Sequence, residues 1–271
     1  MAEQANINKI PKVSIGMPVY NGEKYIREAL DSLLAQTFTD FELIISDNYS
    51  TDGTSNICKE YTNKDSRVRY IRQSTNIGPN SNFEFVLQEA SGEFFMWAAH
   101  DDRWNCVFLE KLVTTLINDQ KCGLAFSNFI VKNLETGAET LHKVRASDME
   151  NRSCNFITRL IYICPSLVYG LYRLSLIRNA KFEKFDFADV YFISELSLRT
   201  KIKIVDDYLY IAGTKGERKP YSLSGSKINR MPFLCKQYDL LRQNCSLPLN
   251  VLMFGFVCLY MAYNKIRLWR Y

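Results

Sequence analysis

Short apolar runs alternate with amphipathic stretches along the first 130 residues. The run from Val13 to Pro18 is typical of a buried strand, and a proline ends it. Between Glu23 and Gln36 apolar residues recur at helical spacing, and Phe41 to Ser46 is a second buried strand. The same patterns predict further elements: helices at 54–61, 82–90 and 107–117, and strands at 68–72, 93–98 and 123–129.

This alternation predicts an α/β fold in which a mostly parallel sheet is flanked by helices. Ligands of such sheets bind at the carboxyl ends of the strands. We therefore expect the segments that directly follow strands to meet at one edge of the sheet. These segments are Pro18 to Asn21, Asp47 to Asp52, Asn76 to Gly78 and His100 to Asp102.

The pattern is less regular beyond residue 130. A hairpin is expected to turn at Glu135 to Gly137. After it the sequence predicts helices at 156–163 and 190–198, strands at 167–172, 203–205 and 208–212, and a polar loop at 213–226. A largely apolar, uncharged run from Leu247 to Tyr263 follows, with Lys265, Arg267 and Arg270 behind it.

The composition excludes several classes of protein. A chain of 271 residues with 47% hydrophobic and 23% charged residues can bury a full core. Its eight cysteines form no CxxC pair and it has two histidines, so the usual ligand spacing of a zinc site is missing. Residues 1–12 lack the apolar core of a secretory signal, which favours a cytoplasmic location.

Basic residues are concentrated near the C-terminus. Residues 226–271 contain seven Lys or Arg and the single acid Asp239, a balance of +6. An anionic surface, membrane or nucleic acid, is the partner that such a segment favours. As a helix, residues 247–263 would measure about 25 Å, which is shorter than the roughly 30 Å hydrocarbon core. The run therefore favours an interfacial helix on anionic lipid over packing on protein or a second subunit, and a membrane span is least favoured.

Three groups of polar residues suggest chemistry. Asp101 and Asp102 follow a predicted strand and are typical ligands of Mg²⁺ or Mn²⁺ beside a diphosphate, although an acidic start to the next helix is an equal alternative. Asp47 is placed to accept a hydrogen bond from a base N–H, or it is simply part of a turn. Tyr20 and Asn21 could contact a base or ribose, although Asn-Gly is also a common turn.

The chain resembles the family 2 glycosyltransferases, which have the fold called GT-A. The resemblance spans residues 12–225 and depends on four segments in the same order as in the family. The first segment combines VSIGMPVYN and SLLAQTF, and the others are DNYSTDGT, NIG and GEFFMWAAHDD. It implies an inverting transfer from a nucleotide-diphosphate sugar, with Mn²⁺ or Mg²⁺ as cofactor. His100 departs from the small or acidic residue of many relatives.

The resemblance also implies roles for single residues. Asp102 is the expected metal ligand, and Asp189 in Ala188-Asp189 is the expected general base, with Glu195 as its competitor. Arg218 and Lys219 either close over the diphosphate or belong to a solvated loop. The nucleotide-binding residues are expected to be Pro18, Tyr20, Asn21, Asp47, Asn76, Gly78 and Asp101, with Asp47 on the base and Asp101 near the ribose and phosphates.

The sequence therefore predicts a glycosyltransferase domain at 1–225, with a nucleotide-binding half at about 12–130 and an acceptor half at 131–225. A helical appendage at 226–271 would bind a membrane surface or support a homo-oligomer, and nucleic acid is not the expected partner. A UDP-sugar is favoured as donor, and the acceptor would be a glycan or a lipid-linked glycan of a surface polysaccharide. The alternatives are a non-catalytic sugar-nucleotide-binding subunit and, less favoured, a dinucleotide-dependent oxidoreductase, whose GxGxxG motif is missing after the first strand.

Overall fold

The computed structural model describes residues 10–144, 165–182, 188–214 and residue 239. Its strands are β1 (Val13–Val19), β2 (Phe41–Asp47), β3 (Val68–Arg72), β4 (Phe94–Trp97), β5 (Arg103–Trp104), β6 (Cys122–Asn133), β7 (Glu139–His142), β8 (Leu171–Arg173) and β9 (Lys201–Thr214). Its helices are α1 (Ile26–Leu34), α2 (Thr54–Lys64), α3 (Pro79–Gln88), α4 (Phe108–Asn118), α5 (Leu174–Ile177) and α6 (Ala188–Arg199), with a 3-10 helix at Pro165–Tyr169.

The described strands form one sheet in the order β3-β2-β1-β4-β8-β6-β9-β5, and β7 pairs with the far half of β6. β1 lies between β2 and β4, parallel to both, and β2 is parallel to β3. β6 and β9 form a second, long parallel pair, whereas the antiparallel pairs with β8, β5 and β7 are short. The predicted α/β fold with a mostly parallel sheet flanked by helices is confirmed.

The elements of the first half match the sequence prediction closely. β1 is buried at every position, and α1 buries one face through Ile26, Ala29, Leu30 and Leu33. α3 begins at Pro79, three residues before the predicted start. The reason is local: proline suits the first turn of a helix, and Gly78 before it has φ +84°.

The observed elements differ from the predicted ones in the second half of the chain. The strand predicted at 167–172 is wrong in its first part, because a 3-10 helix occupies Pro165–Tyr169 and β8 begins only at Leu171. The two strands predicted at 203–205 and 208–212 are one strand, β9. Its register with β6 jumps from Val205 to Tyr208, so Asp206 and Asp207 bulge out of the ladder. The helix predicted at 156–163 lies outside the described residues.

An aromatic cluster around Trp97 joins the two halves of the fold. The indole packs edge-on against Phe95 of its own strand, Tyr172 of β8, Phe182, and Phe192 of α6, with ring centroids 4.8 to 5.7 Å apart. The Trp97 N–H donates to the backbone oxygen of Phe83 at 3.0 Å. The cluster thereby fixes α6, which begins with Ala188 and Asp189, beside the strand that leads to Asp101 and Asp102.

Within the described ranges, no helix is both long and apolar enough to cross a membrane. The run 247–263 lies outside those ranges.

Candidate active site

The loops that follow β1 and β2 are tied together at the carboxyl ends of the strands. The backbone N–H of Asn21 donates to the Ser50 hydroxyl at 2.9 Å, and the N–H of Thr51 donates to the Asn21 side-chain oxygen at 2.8 Å. Gly22 N–H donates to the Thr54 hydroxyl at 2.8 Å. We call residues 20–22, 47–54 and 76–78 the interlocked rim, and the predicted meeting of these segments at one edge is found.

The third segment of the interlocked rim is attached through Asn48. Its side chain donates to the Asn76 side-chain oxygen at 2.9 Å and accepts from the backbone N–H of Ile77 at 2.8 Å. Asn76 also accepts from the N–H of Gly78 at 2.9 Å. Asn48 lies in the segment Asp47 to Asp52 that the sequence predicts at this edge, but no role of its own is predicted for it.

Asp47 is fully buried and its carboxylate is occupied by protein donors. One oxygen accepts from the N–H of Ser50 at 2.8 Å, and the other accepts from the Tyr70 hydroxyl at 2.7 Å and the Arg72 guanidinium at 3.0 Å. These donors take three of the about four acceptor sites of the carboxylate, so Asp47 holds the loop together. Contact between Asp47 and a base N–H stays a prediction.

The remaining nucleotide-site candidates on the first strand differ in exposure. Pro18 is buried within β1 and pairs in register with Ser46. Tyr20, directly after the strand, is 46% exposed. Tyr20 therefore offers surface to a ligand at the strand end, whereas Pro18 can act only by shaping the backbone there.

Asp102 is held by two donors from β9. The Tyr210 hydroxyl donates to one carboxylate oxygen, and the backbone N–H of Gly213 donates to the other at 2.8 Å. A Cβ atom at residue 213 would lie 2.1 Å from the backbone oxygen of Asp101, so only glycine allows β9 to approach this closely. We call Asp101, Asp102, Asp189, Tyr169 and Tyr210 the acidic centre.

The charge of Asp102 has little compensation. Burial raises its pKa to about 7; the hydrogen bond from Tyr210 opposes this increase, and the nearby Asp101 carboxylate adds to it. The backbone N–H of Gly213 and the charge of Arg103 also act to lower the pKa of Asp102, but burial outweighs them. Asp101 is partly exposed, so it presents its carboxylate more openly than Asp102.

Asp189 lies in the first turn of α6 and belongs to the same neighbourhood. The ring of Tyr169 packs against that of Tyr210, with centroids 5.8 Å apart. Burial raises the pKa of the Tyr169 phenol, and three carboxylates add to the increase, namely Asp102, Asp101 and Asp189. Tyr169 therefore lies within electrostatic reach of both ends of the acidic centre, and the 3-10 helix that carries it packs on β4 and α6.

Glu195, the competitor of Asp189, is engaged elsewhere. It forms an ion pair with Arg199 along the same helix. His100 packs over the start of the first loop, since a Cβ at Gly22 would lie 2.9 Å from the imidazole. Arg218 and Lys219 lie outside the described residues.

The donor atoms of the acidic centre fit a hard divalent cation. Mg²⁺ bound with a diphosphate commonly takes one or two protein carboxylates, and phosphate and water oxygens complete its coordination. The adjacent carboxylates of Asp101 and Asp102 supply such ligands. Among the described residues there is no group of three or more His, Cys, Asp or Glu arranged as a closed metal site.

Comparisons with known proteins agree with this architecture. A protein of Campylobacter jejuni named GalNAc(5)-diNAcBac-PP-undecaprenol beta-1,3-glucosyltransferase is 28% identical over 179 residues, which are 65% of this chain and 56% of that protein. TarS from S. aureus, solved with UDP-GlcNAc, superposes with a TM-score of 0.69 at 21% identity, covering 94% of this chain and 73% of TarS.

The mannosyltransferase PcManGT from Pyrobaculum calidifontis, solved with GDP-Man and Mn²⁺, gives a TM-score of 0.55 at 14% identity and covers 95% of this chain and 75% of its own. These likenesses confirm the predicted GT-A fold. The chain spans 13% to 56% of the length of the curated relatives that it matches. Residues 14–185 match the model of glycosyl transferase family 2, so the chain belongs to that family.

Proposed function

We propose that the protein transfers a sugar, with inversion, from a nucleotide-diphosphate sugar to a glycan or lipid-linked acceptor in surface polysaccharide synthesis. The observation that carries the proposal is that the interlocked rim and the Asp101–Asp102 pair follow neighbouring parallel strands and so lie at the same edge of the sheet. A UDP-sugar is the favoured donor, supported by the likeness to TarS, which was solved with UDP and with UDP-GlcNAc. The undecaprenol-linked substrate in the Campylobacter relative's name supports a lipid-linked acceptor.

In this mechanism the interlocked rim binds the nucleoside, with Tyr20, Asn21, Asn76 and Gly78 at its surface. Asp101 lies towards the ribose and phosphates. Asp101 and Asp102 together hold Mn²⁺ or Mg²⁺; Asp102 is the ligand expected from the sequence, and Asp101 is the more accessible of the two. When bound, the cation neutralises the negative charge that builds on the departing diphosphate.

Asp189 acts as general base in the proposed reaction. It takes the proton of the acceptor hydroxyl as that oxygen forms a bond to the anomeric carbon and the bond to the diphosphate oxygen breaks. Its place in the first turn of a helix stabilises the carboxylate before the proton arrives. The Tyr169 ring packs on Tyr210, the donor to Asp102, so it can line the pocket of the transferred sugar.

A thermal-shift screen of UDP-, GDP-, dTDP- and CMP-sugars with and without Mn²⁺ tests the proposal. We expect one nucleotide to raise the Tm only when Mn²⁺ is present. Stabilisation by NAD(P) alone would instead favour the oxidoreductase, which neither the family membership nor the sequence after β1 supports. A non-catalytic binding subunit would show the nucleotide shift without forming product, as followed by mass spectrometry of lipid extracts.

We further propose that residues 226–271 bring the enzyme to the cytoplasmic face of the membrane, because their +6 charge suits anionic lipid. Co-sedimentation of the full chain with phosphatidylglycerol vesicles, compared with phosphatidylcholine vesicles, measures this. Equal binding to both would contradict an electrostatic contribution. A concentration-dependent rise in mass by light scattering, without vesicle binding, would favour the homo-oligomer.

A further inference from the structure

Tyr49 adopts a backbone conformation that its side chain disfavours. Its φ is +64°, in the left-handed region, where a bulky residue is unfavourable. The other described residues with positive φ are of types that tolerate it, namely Asn21, Gly78 and Gly137. Burial offers no compensation, because Tyr49 is 47% exposed.

Two contacts accompany this conformation of Tyr49. Its backbone N–H donates to the backbone oxygen of Asp47 at 2.8 Å. The Arg72 guanidinium lies 5.2 Å from the centre of the tyrosine ring, within the range of a cation–π contact. Arg72 is itself held, by Asp47 at 3.0 Å and by the backbone oxygen of Ser50 at 2.8 Å. The loop thus fixes an exposed ring beside a fixed guanidinium.

Tyr49 lies on the interlocked rim, where exposed apolar side chains are concentrated. The next residues of its loop, Ser50 and Thr51, hold Asn21. Tyr20 on the first segment and Ile77 on the third are also exposed, at 46% and 37%. Exposed aromatic rings on polar loops at the ligand-binding edge of a sheet are suited to stack on another flat ring.

We propose that Tyr49 and Arg72 form a platform that binds and selects the nucleobase of the donor, an inference that rests on the proposed function. The tyrosine ring stacks on the base, and stacking of this kind is tolerant of sequence because every base has a π face. Arg72 adds selectivity, since its guanidinium carries only donors and therefore prefers a base with a carbonyl oxygen. Uracil and guanine have such an oxygen, and adenine does not.

The test is isothermal titration of the full chain with UDP, GDP and ADP in the presence of Mn²⁺. For Tyr49→Gly we expect the affinity for the better of UDP and GDP to fall at least about fivefold. Glycine relieves the left-handed strain but loses the contact with Arg72, so the Tm of this variant should stay level or rise by about 2 °C.

Two further variants serve as controls. Tyr49→Phe keeps the ring and should bind within about twofold of the wild type, because stacking needs no hydroxyl. Arg72→Lys keeps a positive charge beside Asp47 but loses the planar guanidinium, so we expect the preference for UDP or GDP over ADP to narrow.

Distinct outcomes would overturn the inference. Unchanged nucleotide affinity in Tyr49→Gly would show that Tyr49 does not bind the base, while the proposed function would remain intact. A parallel fall of affinity and Tm in that variant would make Tyr49 a structural residue of the loop. If the wild type bound none of the three nucleotides and dTDP did not bind either, the proposed function would fail first, and the platform with it.

Discussion

The interlocked rim and the acidic centre share one edge of the sheet, but their buried carboxylates are satisfied differently. Asp47 in the rim has an arginine and two further donors. Asp102 in the acidic centre has a hydroxyl and a backbone N–H, and burial raises its pKa to about 7. The rim carboxylate is therefore compensated without a ligand, whereas Asp102 is close to taking up a proton at neutral pH, and a bound cation would favour its charged form. The buried Asp47 carboxylate should therefore affect mainly stability, and the carboxylates of the acidic centre should affect mainly chemistry.

The largest expected effect tests the chemical side of this contrast. Asp189→Asn should lower the transfer rate by about 10²- to 10⁴-fold, because the acceptor hydroxyl loses its base. The affinity for UDP with Mn²⁺ should stay near the wild-type value. Initial rates with the donor identified by the screen, together with titration calorimetry, measure the two quantities.

Glu195→Gln is the matched control for that experiment, since it removes a carboxylate from the same helix. Its ion pair with Arg199 is lost, but transfer should remain within about threefold, because exposed pairs contribute little. Unchanged transfer in Asp189→Asn, combined with a large loss in Glu195→Gln, would exchange the roles of the two residues.

The second prediction tests the structural side. Asp47→Ala should lower the free energy of unfolding by about 2–3 kcal/mol, because it leaves Arg72, Tyr70 and the Ser50 N–H without their acceptor. Urea denaturation measures this. Asp47→Asn keeps one acceptor oxygen, so its free energy of unfolding should lie between those of the wild type and Asp47→Ala. A fully stable Asp47→Ala that fails to bind nucleotide would show that Asp47 contacts the base after all.

The third prediction concerns the support of the aspartate pair. Tyr210→Phe removes the hydroxyl that donates to Asp102 and should weaken the apparent Mn²⁺ affinity about tenfold, as is usual when the partner of a metal ligand is lost. A Mn²⁺ titration of the UDP-dependent Tm shift measures it. Tyr70→Phe removes the corresponding hydroxyl from Asp47 and should leave the Mn²⁺ midpoint unchanged. Equal shifts of the midpoint in both variants would mean that the effect of Tyr210 is not specific to the aspartate pair.

The smallest effect concerns pH. Burial acts to raise the pKa of Asp52, but hydrogen bonds from the Thr54 hydroxyl and from the N–H groups of Thr54 and Glu23 outweigh it and lower the pKa. A lowered folded-state pKa gives stability that is present above the unfolded-state value of about 3.9 and is lost as the pH falls through the folded-state value.

Asp52→Asn should therefore be less stable than the wild type at pH 7, by up to about 1 kcal/mol. The difference should shrink as the pH falls below about 4, where the carboxyl of the unfolded chain takes up its proton, and should vanish as the pH falls through the lowered folded-state pKa. Urea denaturation at pH 7, 4 and 3 gives the comparison. A difference that stays constant with pH would mean that the charge of Asp52 does not contribute.

The sequence predicted the first half of the fold well because hydrophobic periodicity decides buried strands and amphipathic helices. It missed β5, since a strand of two residues has no period to detect. It also divided β9 at Asp206 and Asp207, where a pair of acids interrupts an apolar pattern although the strand continues around a bulge.

The candidate site was predicted in position but not in detail. The meeting of strand-end segments follows from parallel topology alone, which is why Asn21, Asn76 and Asp101 are found at one edge. The burial of Asp47 depends on Tyr70 and Arg72 in the neighbouring strand, and the sequence does not reveal such cross-strand partners. The same holds for Asp102, whose donors Tyr210 and Gly213 lie more than a hundred residues later.

That long separation has a consequence for how the protein is made on the ribosome. The rim is assembled from residues before position 80, so it can close early during translation. The aspartate pair must wait until the segment carrying Tyr210 and Gly213 has emerged. A nascent or prematurely terminated chain that stops before this point would hold the rim beside an Asp102 that lacks both donors, and we expect it to be unable to transfer a sugar.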